Sequence, residues 1–316
     1  MKQFFKPGFL VVVLSSILLL FANWSEAQEG KLSIGTLPIV DSLPLFVAEK
    51  EGLFNSQDLK VELVFFPSAL ERDVALQAGK IDGCINDTVG SPLLKTQGQE
   101  ISIVSIILGA TPQEGPFAIL SAPDSGIKKA EDLKNVPIGV SSNTIIDYVT
   151  DTLLKEAGLK DEEIKKTEIK SIPLRFQMLM EGKIKAATLP DPLLSLARLQ
   201  GAHLILDDTK ANISQSVLIF KNDDIAKRSE LLKKFATAYN RAVELINKNP
   251  EQWRGLLVEK ARLPDPIKSS FQVPTFPKIQ LPTKADTERV LRWMKEKGLI
   301  ERPVTYENLM SDLLVK

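Results

Sequence analysis

Short apolar or β-branched runs alternate with helical periods along almost the whole chain. That alternation restricts it to α/β architectures, with mostly parallel sheets covered by helices on both faces. Residues 31–54 set the pattern. Leu32, Ile34 and Leu37 supply a strand, residues 36–42 connect it onward, and Ser42 is placed to cap a helix. Pro44 falls in the first turn of that helix, where its missing N–H is harmless, and Gly52 suits the left-handed position that ends it. The spacing predicts further strands at 61–66, 81–85, 101–108, 116–120, 137–140, 167–171, 186–189, 203–206 and 216–220. Helices are expected between them. Ser68 and Glu71 form a capping box for a helix ending at Gly79, and helices are expected at 92–96, 144–157, 174–181 and 192–199.

After residue 220 the pattern is mainly helical. Leu232, Phe235, Tyr239, Ala242, Val243 and Ile246 recur at three and four residues and make one apolar stripe. Residues 250–258 read as a shorter helix, and Thr283 with Asp286 caps another that runs to Lys297. The proline-rich stretch 262–282 carries Phe271, Val273, Phe276 and Ile279, which suits a strap laid over a core. No internal repeat is evident. Residues 109–115, without helix or strand signal, are the expected crossing between two lobes.

The N-terminus indicates where the chain works. Lys2 and Lys6 precede an apolar run over residues 9–21, and Ser25-Glu26-Ala27 puts small residues where a signal peptidase cuts. The run is shorter than the ~18–20 apolar residues that comfortably cross a bilayer, so cleavage after Ala27 is expected. An exported chain with Cys84 as its single cysteine makes no internal disulfide, and Cys84 in an apolar strand reads as a buried, inert thiol. No lipid-attachment cysteine follows the leader, which favours a periplasm bounded by an outer membrane. A formal charge of +0, with 44% hydrophobic and 25% charged residues, gives no electrostatic case for nucleic acid or anionic lipid.

The strand, loop and helix ending in Gly52-Leu53-Phe54 resembles the start of periplasmic solute-binding proteins of the sulfonate, nitrate, taurine and thiamine-precursor type. Ala78-Gly79-Lys80-Ile81-Asp82 is similar to that family's step into a strand. Glu131-Asp132-Leu133-Lys134 before Pro137-Ile138-Gly139-Val140 resembles its entry to the second lobe, and Asp191-Pro192 its acidic-Pro pair. The resemblance covers nearly the whole chain after the leader. It implies a two-lobed periplasmic-binding-protein type II fold with the ligand cleft between lobes. The expected division is 1–27 signal peptide, 28–113 with 217–316 as lobe 1, and 114–216 as lobe 2. It also implies a monomer that captures a small molecule and passes it to an inner-membrane ABC permease with its ATPase, without a cofactor. A ligand-sensing partner of a membrane receptor is the alternative.

Ligands of open α/β sheets sit beyond the carboxyl ends of the strands, where loops present N–H groups and helix N-termini. That rule nominates Thr36, Asp41 and Ser42; Asn86, Asp87 and Thr88; Thr111; Ser141, Ser142, Asn143 and Thr144; and Asp191. Each has a plainer reading. Ser42 and the Thr144–Asp147 pair could cap helices, Asn86 and Asp87 could close a turn, and the Pro-Asp-Pro of Asp191 recurs at Asp265 away from any expected site. These loops carry Asp41, Asp87, Glu114, Asp147 and Asp191 but no Lys, Arg or His. The expectation is therefore a neutral or amino-bearing ligand, such as an aminopyrimidine precursor of thiamine, with Phe46, Phe117 or Tyr148 free to stack on a ring. Sulfonate-, taurine- or nitrate-type anions held by helix N-termini are the alternative. One His, His203, and one Cys build neither a metal cluster nor a Ser/His/Asp triad, which argues against an enzyme.

Overall fold

The computed structural model describes residues 30–111, 114 and 117–315, so the expected leader at 1–27 lies outside the described residues. Two five-stranded sheets carry the chain. In the first, β1 (Lys31–Thr36), β2 (Lys60–Phe65), β3 (Gly83–Asp87), β4 (Ile101–Leu108) and β10 (Ser216–Lys221) lie in the order β2-β1-β3-β10-β4. In the second, β5 (Phe117–Ser121), β6 (Pro137–Val140), β7 (Lys165–Glu168), β8 (Ala186–Pro190) and β9 (His203–Asp207) lie in the order β7-β6-β8-β5-β9. Each sheet has one antiparallel strand in its fourth place, β10 in the first and β5 in the second. The two sheets repeat one topology, a duplication that the sequence reading did not find.

The helices follow from the expected spacing, with small shifts. The first sheet is served by α1 (Leu43–Lys50), α2 (Ala69–Gln77) and α3 (Gly90–Thr96), the second by α4 (Ile145–Glu156), α5 (Ile172–Met180) and α6 (Leu193–Leu199). After β10 come α7 (Asn222–Lys227), α8 (Ser229–Lys248), α9 (Pro250–Lys260), α10 (Lys284–Glu296) and α11 (Tyr306–Leu309). Strand β3 begins two residues later than expected and β7 two earlier. Residues 81–82 and 169–171 have strand-like composition but lie just outside the paired segments.

Alternation along the strands gives each sheet two buried faces. In β10, Leu218 and Phe220 join the core under α1, α8 and α9, while Val217 and Ile219 face Leu76 of α2 and Leu94 of α3. The expected stripe of α8 is buried throughout, from Leu232 to Ile246. Burying a side chain of that size contributes ~1.5–3 kcal/mol, so the stripe alone fixes how α8 lies. The strap brings Phe271, Val273 and Phe276 into the same core, and the N–H of Ile106 donates to the Gln280 carbonyl at 2.8 Å. That contact covers the exposed edge of β4. The α10 helix, grouped with the first sheet on sequence, sends Val290, Leu291, Trp293 and Met294 into the core of the second sheet beside Tyr148.

Candidate functional site

The carboxyl ends of the parallel strands of both sheets meet along a common seam. Val89 and Leu93, at the start of α3, pack in the core of the second sheet. In return Leu193 and Leu196 of α6 and Phe176 of α5 pack in the core of the first. The loops nominated from sequence lie at this seam.

On the first sheet, Thr36 ends β1 and shares a hydrogen bond with the Ser42 hydroxyl. Both are fully buried, and Ser42 makes no side-chain cap, because its oxygen turns back to the strand instead of forward to the helix. Asp41 accepts from the Ser216 hydroxyl on the returning strand β10. Burial pushes its carboxyl above the ordinary range, and Ser216 only partly opposes that. Asp87 behaves as the plainer reading had it: its Oδ1 accepts from the N–H groups of Val89 at 2.8 Å and Gly90 at 2.7 Å and so opens α3. The Oδ1 of Asn86 accepts from the Asp87 N–H, and its amide donates to Asp73. Thr111 donates to Glu114 at 2.8 Å, and Glu114 also receives the N–H groups of Gly109 and Ala110. Thr88 Oγ1 and the Tyr239 hydroxyl, which lies within electrostatic reach of Asp41 and Glu114, are buried with no partner among the described residues.

On the second sheet, Ser142 donates to Glu168 through both its N–H and its hydroxyl and is exposed. Asn143 sits at φ 60 with its N–H on Asp147, and Thr144 accepts from the Ile146 N–H as the N-cap of α4. Asp147 is 3% exposed and paired with Lys166, so it serves this turn and not the cleft. Asp191, at a cis bond to Pro192, accepts from the N–H and hydroxyl of Ser195. Of the expected stacking rings, Phe46 lies against Phe65 at 5.8 Å and Tyr148 meets Trp293 edge-on at 5.3 Å, both in the cores, while Phe117 is half-buried at the start of β5.

Ser141 leads to what the loop reading missed. Its hydroxyl accepts from Arg175 Nη1 at 2.9 Å. Arg175, four residues past the N-cap Ser171, is fully buried and runs along the face of β6, where its stem takes the space a Cβ on Gly139 would need. The guanidinium ends where β6, β7 and β8 end. Its Nη1 also donates to the Ile169 carbonyl at 2.7 Å and its Nε to the Thr188 carbonyl at 2.9 Å. Its Nη2 has no partner, and no carboxylate pairs with it among the described residues. Burial pushes its pKa down to about 10, with Glu168 opposing the shift from a distance, so it stays charged at neutral pH with no carboxylate in direct contact. Arginines counted as helix residues are invisible to a search confined to loops.

Two segments cross between the sheets, and Asp208 ties them. It receives the N–H of Phe117 at 2.8 Å from one crossing and the N–H and hydroxyl of Ser214 from the other. Away from the seam, a surface cavity of about 390 Å³ is lined by Asp151, Lys155, Lys166, Trp293 and Lys297. Its lysines are already paired, Lys155 with Asp161 and the other two with Asp151, so the cavity offers no unpaired lysine to an anion. No group of three or more His, Cys, Asp or Glu is placed to hold a metal among the described residues.

A family model described as NMT1/THI5 like matches residues 40–253, which include both crossings and every nominated residue except Thr36. The chain belongs to the NMT1/THI5-like family. Within reach of that family, an Escherichia coli K12 protein named for binding aliphatic sulfonates is 26% identical over 254 residues, covering 79% of this chain and 78% of its own. The crystal structure of the periplasmic aliphatic sulphonate binding protein of Escherichia coli shares the fold, with a TM-score of 0.78, 22% identity, and coverage of 90% and 99% of the two chains. The crystal structure of a desulfurization enzyme shares it too, with a TM-score of 0.67, 16% identity and coverage of 90% and 97%. One fold is thus shared by a protein named for binding and by one named an enzyme, so the fold alone does not decide between them.

Proposed function

We propose that this chain is the extracytoplasmic solute-binding component of an ABC importer, which closes over a small organic anion of the alkyl sulfonate kind and delivers it to the permease and its ATPase. The observation that carries the ligand class is Arg175, a buried guanidinium at the seam whose Nη2 is unused and which makes no direct ion pair, Glu168 acting on it only at longer range. The E. coli relative named for aliphatic sulfonates supports the same reading. The acids that favoured an aminopyrimidine lose weight, because Glu114 commits both oxygens, and Asp87 and Asp191 each commit Oδ1, to N–H and hydroxyl groups of this chain. Asp41, buried and held by a hydroxyl, still favours a ligand that also bears an amine.

The lobes of this proposal are 28–113 with 217–316, and 114–216, with α10 lying against the second. Export through a leader cleaved after Ala27 into the periplasm, and action as a monomer, belong to the same reading. The chain's one histidine, His203, lies against the Pro123 carbonyl and its one cysteine, Cys84, is buried in β3, which supports binding over catalysis. The test is thermal and calorimetric binding of ethanesulfonate, taurine, nitrate and an aminopyrimidine to the exported chain. A true ligand at a hundredfold excess over its Kd stabilises by about 2.7 kcal/mol. Stabilisation by ethanesulfonate or taurine is expected; stabilisation by the aminopyrimidine alone would overturn the anionic assignment.

A further inference from the structure

The two sheets repeat more than topology. Ser68 caps α2 and Ser171 caps α5, each accepting from the N–H three residues on. Four residues past each cap stands a buried arginine, Arg72 and Arg175. Each helix stops at a left-handed glycine, Gly79 at φ 70 and Gly182 at φ 65, followed by Lys-Ile. Each isoleucine then lies over a glycine of the neighbouring strand: a Cβ on Gly35 would come within 2.5 Å of Ile81, and one on Gly139 within 2.9 Å of Ile184. Both arginines donate to the third residue of the next strand, Ile85 in β3 and Thr188 in β8. At these positions the two modules share one register.

Close to the arginine they differ in charge at two places: the residue after it, and the end of the preceding strand, where Phe65 of β2 is replaced by Glu168 of β7, within electrostatic reach of Arg175. In the first module the residue after the arginine is Asp73, whose Oδ1 takes Arg72 Nε at 2.9 Å and Nη2 at 2.8 Å. In the second it is Phe176, half-buried and packed across the seam on the core of the first sheet. A guanidinium has five N–H donors. Arg175 uses three, one on Nε and two on Nη1, so the two on Nη2 remain for an acceptor from outside the chain. A buried cation left in that state is costly unless something compensates it.

We propose that the residue following the buried arginine decides which lobe takes the ligand's anionic group: Asp73 masks Arg72, Phe176 leaves Arg175 open, and the anion seats on Arg175 Nη2 in the second lobe. This rests on the anionic-ligand reading above. The seat is the two N–H donors of a single nitrogen, backed by the guanidinium charge, to which oxygens of a sulfonate or carboxylate can accept.

The experiment supplies the missing mask. Phe176→Asp places a carboxylate where Asp73 stands in the other module, and Phe176→Asn removes the same ring without adding charge. Ethanesulfonate is titrated calorimetrically into the exported full chain. Phe176→Asp is expected to bind it about tenfold or more weakly than Phe176→Asn. Without ligand, Phe176→Asp is expected to unfold at a higher temperature than Phe176→Asn, because its carboxylate compensates Arg175. Equal affinities in the two variants overturn the proposal while leaving the anionic reading intact. A wild-type chain that binds no anion overturns both. Should Phe176→Asp fail to fold, Arg175→Lys and Arg175→Gln decide the matter: the charge-retaining lysine is expected to bind about tenfold more tightly, and equal binding refutes the seat.

Discussion

Asp208 offers a stability signal that belongs to the crossing between the sheets. Its carboxyl is 3% exposed, and burial raises its pKa from 3.8 to about 6 against the pull of its bonds from Ser214 and Phe117, with Asp207 adding like charge. An acid whose folded pKa is raised is more protonated in the folded chain than in the unfolded one. Its contribution to stability is therefore fully present below 3.8 and is lost as the pH rises through about 6. Integrating over that window gives ~2 kcal/mol between pH values of about 4.5 and 7.5. The perturbation is Asp208→Asn, which keeps the size and removes the titration. Denaturant unfolding of wild type and variant at both pH values isolates this group, since every other titrating group cancels in the difference. The gap between the two proteins should move by ~2 kcal/mol in favour of wild type on acidification. A gap that stays constant within about 0.5 kcal/mol would show that Asp208 is ionised across the range and that its three donors outweigh burial.

Cys84, whose thiol burial pushes up to about 12, should not react with a disulfide reagent at mild alkaline pH in the native chain, and should react fully once denatured; fast native labelling would place it at the surface. At Gly83 a Cβ would stand 2.5 Å from the Ile219 carbonyl oxygen and 2.5 Å from the Phe220 ring, so Gly83→Ala should cost ~1–3 kcal/mol in denaturant unfolding. Gly255, inside α9 with nothing within 4 Å, is the contrast: Gly255→Ala should gain ~0.5–1 kcal/mol, and similar effects at the two sites would contradict the packing of β3 on β10.

The order of elements was legible because it rests on local chemistry. Period-two alternation in β10, the stripe of α8 and the caps at Ser68, Thr144 and Thr283 are each written within a few residues, and each stands where the spacing put it. The site was legible only as a set of loops. Asp87, Asp147 and Asp191 are acids in loops at strand ends, and sequence cannot say whether such an acid faces a ligand or the first N–H groups of the next helix; here all three serve turns or caps. Arg175 failed in the opposite way. Nothing local distinguishes an arginine in a helix that points to water from one that runs under a neighbouring strand, because Gly139, which leaves it room, is far away in the chain. The repeat did carry the signal. Ser-x-x-x-Arg followed by Gly-Lys-Ile occurs at both Ser68 and Ser171, and an arginine kept at one register in both halves of a chain marks a shared structural place.

That shared place also bears on how closure responds to ligand. The apolar seam made by Val89 and Leu93 on one side and Phe176, Leu193 and Leu196 on the other is available whether or not the cleft is filled. Contacts of that kind favour the closed form equally with and without ligand, and so cannot make closure report occupancy. An unmet guanidinium edge acts differently. Open, Nη2 of Arg175 can be met by water; closed and empty, it is buried with nothing to accept from it. Closed and filled, an anion takes both of its donors. The same side chain thus disfavours the empty closed form and favours the filled one, and the sum of the two sets how strongly an anion shifts the equilibrium. In the first module Asp73 cancels both effects for Arg72, leaving it a strut between α2 and β3. On the proposed anion seat, a single position after a repeated arginine therefore separates a structural charge from one that would make closure conditional on cargo.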